Sequence, residues 1–231
     1  MPLTASPLMA GPLPPDCERI LIVGAGGFGR EVLQWAIDAW PDRANTITGF
    51  LAEDIASEKT SRCALPIVAK PSDFRPGRGD YLVFGIGVPK TRIQVANALV
   101  EKGCRFLTVV HPTAIISPTA SIAAGTIICP HAVVSDSASV GQFVVVNYFS
   151  SIAHDAYVGD FTVMSPYSAV AGNARVGHSV FFGIHSGVAP GVEIGEGSRI
   201  SSHSWARASV PAGSLVHGNP PVISPLIALE Q

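Results

Sequence analysis

The sequence predicts two joined folds, a small Rossmann-like parallel-sheet α/β unit followed by a β-solenoid. Strand and helix signals alternate up to residue 110, and a glycine-rich turn links the first strand to the first helix. From residue 116 onward, an aliphatic or large apolar position returns every six residues.

A chain of 231 residues can bury a real core as one large or two small domains. Charged residues make up 14% and the net charge is -2, which argues against a nucleic-acid grip through basic patches. No apolar run approaches the ~18 residues of a membrane span, so no membrane partner is expected. Residues 1–18 are Pro-rich, with neither a basic start nor an apolar core, and read as a disordered leader rather than a signal peptide. Cys17, Cys63, Cys104 and Cys129 are scattered without a C-x-x-C, the pattern of reduced thiols in a cytoplasmic protein.

Residues 19–110 form the α/β unit. "RILIV" (19–23) is a short buried strand, and "REVLQWAIDAW" (30–40) is an amphipathic helix stopped by Pro41. "TITGFL" (46–51), "YLVFGIG" (81–87) and "RFLTVV" (105–110) read as further strands. A helix over "KTRIQVANALVEKG" lies between the last two and ends at Gly103. Gly24, Gly26 and Gly29 form a G-x-G-x-x-G directly after a strand and before a helix, a place that favours a phosphate. The acid expected ~20 residues on would be Glu53 or Asp54, somewhat late for a dinucleotide. With about four strands and no second mononucleotide half, a nucleotide-linked small molecule fits better than NAD. A turn that needs glycine for packing alone is the simpler alternative.

Residues 111–231 form the solenoid and a C-terminal tail. Fifteen positions from Ile116 to Ile200 carry the apolar residue, and four residues after each stands Ser, Thr, Ala or Val without exception. Gly follows at 141, 159, 177, 183 and 195, where a tight turn is expected. The pattern matches the hexapeptide repeat of left-handed parallel β-helices, in which three hexads make one coil. Residues 18 apart then stack at the inter-strand spacing of ~4.8 Å.

That spacing serves as a ruler. It sets His154 in a column with Pro118, Asp136, Gly172 and Pro190, and Asn147 in a column with Cys129, Ser165, Gly183 and Ser201. An imidazole with a neighbouring carboxylate, Asp155 or Asp136, suits general base catalysis, and glycine above it leaves room for a ligand. A solvated polar pair on a β-helix face is the plainer alternative. His131, Phe149, Tyr167, His185 and His203 share one column and read as a ring ladder. His111, beside a proline, reads as a hinge residue. No H-x4-H pair occurs, so no metal is expected.

The quoted segments "VGAGGFGREV", "GFLAED", "GIGVPKTR", "HPTAIISPTASI", "VVNYFSSIAHDAYVGDF" and "HGNPP" together resemble the NeuD/PglD-type family of sugar acyltransferases over nearly all of residues 19–221. The resemblance implies a cytoplasmic homotrimer of surface-glycan biosynthesis, with acetyl-CoA as co-substrate and no permanently bound cofactor. Acetyl would pass directly to the amine of a nucleotide-linked amino-dideoxy sugar. The alternatives are O-acetylation of the sialic acid type and a non-catalytic or NAD-binding module. Carried over by position, His154 would be the general base, Asp155 its partner, and Asn147 a neighbour of the acceptor. Gly172, Ile184 and Ser202 would meet acetyl-CoA. Gly24, Gly26, Gly27 and Gly29 would lie near the nucleotide-sugar phosphates, with Glu53 and Asp54 near the nucleoside. Phe28 and Val163 stand where some members carry a His or polar contact. The ending "GNPPV" lacks the family's basic residue, so CoA phosphates would fall to Arg175, Arg199 or Arg207.

Overall fold

The computed structural model describes residues 11–53 and 62–225. In the α/β unit, β1 (Arg19–Val23), β2 (Ile47–Leu51), β3 (Ile67–Ala69) and β4 (Asp80–Phe84) form one parallel sheet in the order β3-β2-β1-β4. Ile20 to Val23 are all fully buried, as expected of a parallel strand covered on both faces. Helix α1 (Gly27–Ala39) turns Val32, Leu33, Trp35 and Ala36 inward, and Pro41 opens a short 3-10 turn after it. Helix α2 (Pro89–Glu101) starts on proline, and Gly103, at φ +77, continues the chain past its end.

Two expectations are corrected here. The fourth strand is the three-residue edge Ile67–Ala69, and not residues 105–110. Within that apolar run Phe106 only bridges Leu82, while Val109–Val110 pairs with Ile127–Ile128 of the solenoid. One apolar segment therefore serves two sheets, and its composition is the same whichever it joins. The disordered leader is also too long as read. Cys17 is buried, Tyr81 and Arg105 both donate hydrogen bonds to the Asp16 carboxylate, and Trp40 Nε1–H donates to the Gly11 carbonyl. Side chains anchor a segment whose prolines need few backbone partners.

The second half is a left-handed parallel β-helix with three faces. Among the described residues, seven parallel strands make the first face, from Val109–Val110 to Ser214–His217, with Val222–Pro225 added antiparallel as the eighth. The second has six, from Ile115–Ile116 to Trp205–Ala206, and the third five, from Ser121–Ile122 to Glu193–Ile194. Pairing follows the 18-residue register, for example Val145 with Val163 and Ser151 with Ala169. The aliphatic column fills the prism and runs beyond 116–200, from Val110 to Val216. The small position also points inward. At several Ser and Thr positions the buried hydroxyl donates to a carbonyl of the next coil, as Thr126 does to Gly141 and Ser150 to Ser165.

The hexad glycines do a different job from the one expected. The left-handed backbone falls two residues later, at eleven non-glycine corners such as Phe143, Phe149, Asp155, Tyr167 and His185, with φ between 53 and 61. At the glycines themselves the next coil's backbone comes too close for a side chain. A Cβ at 183 would lie 2.4 Å from Ser202 N, and one at 195 would lie 2.2 Å from Ala212 N. Each left-handed corner costs roughly 1–2 kcal/mol. Coil-to-coil bonds oppose that cost, such as Asp155 N–H to the Asp136 carbonyl at 3.0 Å.

The α/β unit sits on the first face. Outward-facing Val109, Ile127, Val145 and Val163 pack into the same core as α1's Val32, Trp35 and Ala36. Phe143, at the corner between third and first faces, stacks on Phe161 and meets Phe84 and Phe106 edge-on. His111 fastens the same junction, its Nε2 lying 3.3 Å from Asp38 of α1. Among the described residues no helix is long and apolar enough to cross a membrane.

Candidate active site

His154 stands on the corner between the second and third faces. Ile152 and Ala156 on either side point into the prism, which turns the imidazole outward, 61% exposed. Asp155, the left-handed corner residue, folds its carboxylate back so that Oδ2 lies 2.8 Å from His154 Nδ1. With Nδ1–H donating to that carboxylate, Nε2 keeps its lone pair. The ring lies against Gly172 one coil above. A Cβ there would fall 2.6 Å from Nε2 and 2.7 Å from Cε1. The gap expected over Gly172 is thus filled by the imidazole itself.

Asp136 is engaged elsewhere. Thr119 and Ser137 donate their hydroxyls to its two carboxylate oxygens, and it reaches the next coil through its backbone carbonyl. Asn147 stands on the other end of the Ser151–Ile152 strand, at the corner between first and second faces, where its Oδ1 accepts the Tyr148 N–H at 2.9 Å. Ile184 and Ser202 lie on that same corner, both exposed, and His203 N–H donates to the Ile184 carbonyl. The residues assigned to catalysis and acetyl-CoA therefore form two groups in one chain. His154, Asp155 and Gly172 share one corner, while Asn147, Ile184 and Ser202 share another.

Between those corners the second face presents Ile115, Val133, Ser151, Ala169, Gly187 and Trp205 outward, none of them charged. The ring ladder borders it, with successive centroids of His131, Phe149, Tyr167, His185 and His203 4.9, 5.1, 4.6 and 5.2 Å apart. On the other side of His154, a cleft of about 520 Å³ runs over the third face past Tyr157, Arg175, Glu193 and Ser209. The Arg175 guanidinium lies over the Tyr157 ring there, 5.6 Å from its centroid.

The glycine loop divides into two kinds of glycine. Gly24, at φ +101, donates its N–H to the Leu51 carbonyl, and Gly29 is pressed so close that a Cβ would lie 1.9 Å from the Gly24 carbonyl oxygen. Gly26 has nothing within 4 Å of its would-be Cβ, and Gly27 has only the tip of Arg30 at 4.0 Å. No side chain caps the helix start, so the first N–H groups of α1 face an open space beside Gly26 and Gly27. Strand order reverses between β1 and β4, so this loop and Gly85–Val88 flank the crevice where α/β sheets take ligands. Glu53 is exposed two residues past β2. Asp54 lies outside the described residues. Phe28 packs edge-on against Trp35 at 5.8 Å.

Arg92 escaped the sequence reading. "PKTR" looks like a charged helix start, yet Arg92, Ala96 and Leu99 share the buried stripe of α2 at i, i+4, i+7. That spacing was the available signal. Burial lowers its guanidinium to about 9, so it is still a cation at neutral pH. Burial also pushes the Cys129 thiol well up, and all four cysteines are free. Among the described residues no group of three or more His, Cys, Asp or Glu side chains is placed to hold a metal ion.

Comparison with known proteins bears on both halves. Residues 19–99 match the family model of the PglD N-terminal domain. No curated protein sequence matches the chain. Among solved structures, the acetyltransferase domain of PglB from Neisseria gonorrhoeae FA1090 is 22% identical, over 89% of this chain and 98% of that one, with a TM-score of 0.79. WeeI from Acinetobacter baumannii AYE is 24% identical over 89% and 99%, with a TM-score of 0.79. PerB from Caulobacter crescentus, solved with CoA and GDP-perosamine, is 23% identical over 89% and 97%, with a TM-score of 0.77. Residues 19–99 thus match the PglD N-terminal domain, and with the β-helix behind them the chain has the two-part fold of these three solved structures.

Proposed function

We propose that the protein is an acetyl-CoA-dependent acetyltransferase acting on a nucleotide-linked amino-dideoxy sugar in surface-glycan biosynthesis, with His154 as general base. The observation that carries this reading is the His154–Asp155 pair, which leaves Nε2 free beside Gly172 in a chain that shares its whole fold with sugar acetyltransferases. Nε2 accepts a proton from the attacking amine as its nitrogen bonds to the thioester carbonyl carbon. The C–S bond then breaks, the acyl group remains on nitrogen, and the proton passes to the CoA thiolate. Asp155 holds the ring and offsets its charge while protonated.

The nucleotide sugar occupies the crevice beside Gly26 and Gly27, its phosphates on the uncapped N–H groups of α1, with Glu53 toward the nucleoside. The uncharged second face supports assembly as a homotrimer. Copies meeting there bring the His154 corner of one against the Asn147, Ile184 and Ser202 corner of the next, which completes an acetyl-CoA groove. A cytoplasmic location fits both substrates.

A thiol-release assay tests the reading, using acetyl-CoA against UDP-, GDP- and dTDP-linked amino sugars. Release above the acetyl-CoA blank is expected with one of them, and mass spectrometry of the product separates N- from O-acetylation. A blank-level rate across the whole panel rejects the reading. The four-stranded sheet without a second mononucleotide half speaks against NAD as the nucleotide.

A further inference from the structure

We propose that Arg92 is a positioning residue, which locks the Gly85–Val88 loop to the β-helix and so fixes where the nucleotide sugar sits relative to His154; this rests on the functional reading above. Arg92 is fully buried between the two domains. Its Nε–H donates to the Phe143 carbonyl at 2.6 Å, on a β-helix corner, and its Nη1 donates to the Ile86 carbonyl at 2.6 Å. Its guanidinium lies over the Phe84 ring, 4.8 Å from the centroid.

The link continues into the glycine loop. A Cβ at Gly24 would meet the Ile86 side chain at 2.8 Å, and one at Gly85 would lie 2.8 Å from Gly29 Cα. The path from Phe143 through Arg92 and Ile86 to Gly24 therefore joins the coil next to the catalytic one to the phosphate loop. Every step is a hydrogen bond or a close contact.

Cohesion alone does not account for a cation in this place. Arg92 Nη2 is the one buried side-chain nitrogen or oxygen among the described residues without a partner, and no carboxylate neutralises the charge through a hydrogen bond. An uncompensated buried charge costs stability that an apolar side chain of similar volume would not. A planar fork that bonds two carbonyls from two domains gives instead a fixed distance and angle between them.

The test compares Arg92→Lys and Arg92→Met with the wild type in the assay above, alongside amide hydrogen exchange. In Arg92→Met, KM for the nucleotide sugar rises by ~10-fold or more while KM for acetyl-CoA stays within ~2-fold, and Arg92→Lys falls between. Folded variants with an acceptor KM within ~2-fold of the wild type overturn the proposal. So does failure of both variants to fold, which would make Arg92 a structural residue only. If the wild type acylates no nucleotide sugar, the functional reading fails separately, and exchange then decides the lock itself. The amides of Gly85 and residue 92, bonded to Val23 and Val88, exchange faster in Arg92→Met. Unchanged rates there sink the proposal.

Discussion

The imidazole of His154 occupies the volume that a side chain at residue 172 would need, with Nε2 only 2.6 Å from where the Gly172 Cβ would be. Glycine is thus tied to the histidine one coil below it, and backbone conformation does not explain it, since Gly172 is outside the left-handed region. Gly172→Ala is expected to leave the β-helix folded and to swing the exposed ring away, lowering turnover by on the order of 10-fold or more. Measured kcat at unchanged Tm checks this. A drop in Tm with kcat retained would mean that the coil shifts and the ring stays.

His154→Ala is expected to lower kcat by ~100-fold or more with the assembly unchanged in size, the scale of a lost general base. Asp155→Asn keeps the base but loses the carboxylate on Nδ1, and an intermediate loss of roughly 10- to 100-fold is expected. Asp136→Asn should stay within ~2-fold, because its carboxylate serves Thr119 and Ser137. Steady-state kinetics on the three variants ranks them. A larger loss for Asp136→Asn than for Asp155→Asn reverses the assignment.

The two kinds of loop glycine make opposite predictions. Gly26→Ala adds a methyl to open space at a permitted φ of -74, so stability stays level or rises by ~0.4–1 kcal/mol while KM for the nucleotide sugar increases. Gly29→Ala drives a methyl into the Gly24 carbonyl and should cost at least the ~1–3 kcal/mol of overpacking. Denaturant midpoints and acceptor KM, measured on both, separate ligand contact from packing.

The foot of the sheet carries a pH-dependent contribution. Arg19 grips Asp80 with two hydrogen bonds at 2.7 and 2.6 Å, and the Gly77 N–H adds a third at 2.7 Å. The Arg19 bond is the largest reason the nearly buried Asp80 carboxyl titrates below its ordinary 3.8. The unfolded chain then binds a proton more readily, so this stabilisation is complete above pH 3.8 and fades as pH falls through the lower folded value. Asp80→Asn is expected to cost ~1–3 kcal/mol at neutral pH. The gap to the wild type should narrow below pH 3.8, and urea titrations at several pH values check it. A gap that widens in acid contradicts the sign.

The fold was legible where a period is physical. Six residues per hexad set which side chains enter the prism, because each face contributes one inward aliphatic and one inward small residue per coil. Ile152 and Ala156 are buried on that account, and His154 between them is not. Composition misled where one segment type serves two settings. Apolar Phe106 to Val110 is shared between two sheets, and Pro-rich residues 11–18 are held by Cys17 and Asp16.

By itself the sequence determined the β-helix, the column that stacks His154 under Gly172, and the phosphate-type turn after the first strand. All three follow from spacing along the chain. Tertiary structure decided that Asp155, and not Asp136, holds the imidazole, because a left-handed corner folds the neighbouring carboxylate back while Thr119 and Ser137 occupy the other. It alone also buried Arg92 between the domains, which no period along the chain predicts. The Arg92 placement depends on which face the α/β unit covers, and that is set by side chains meeting across the fold rather than by their order in the chain.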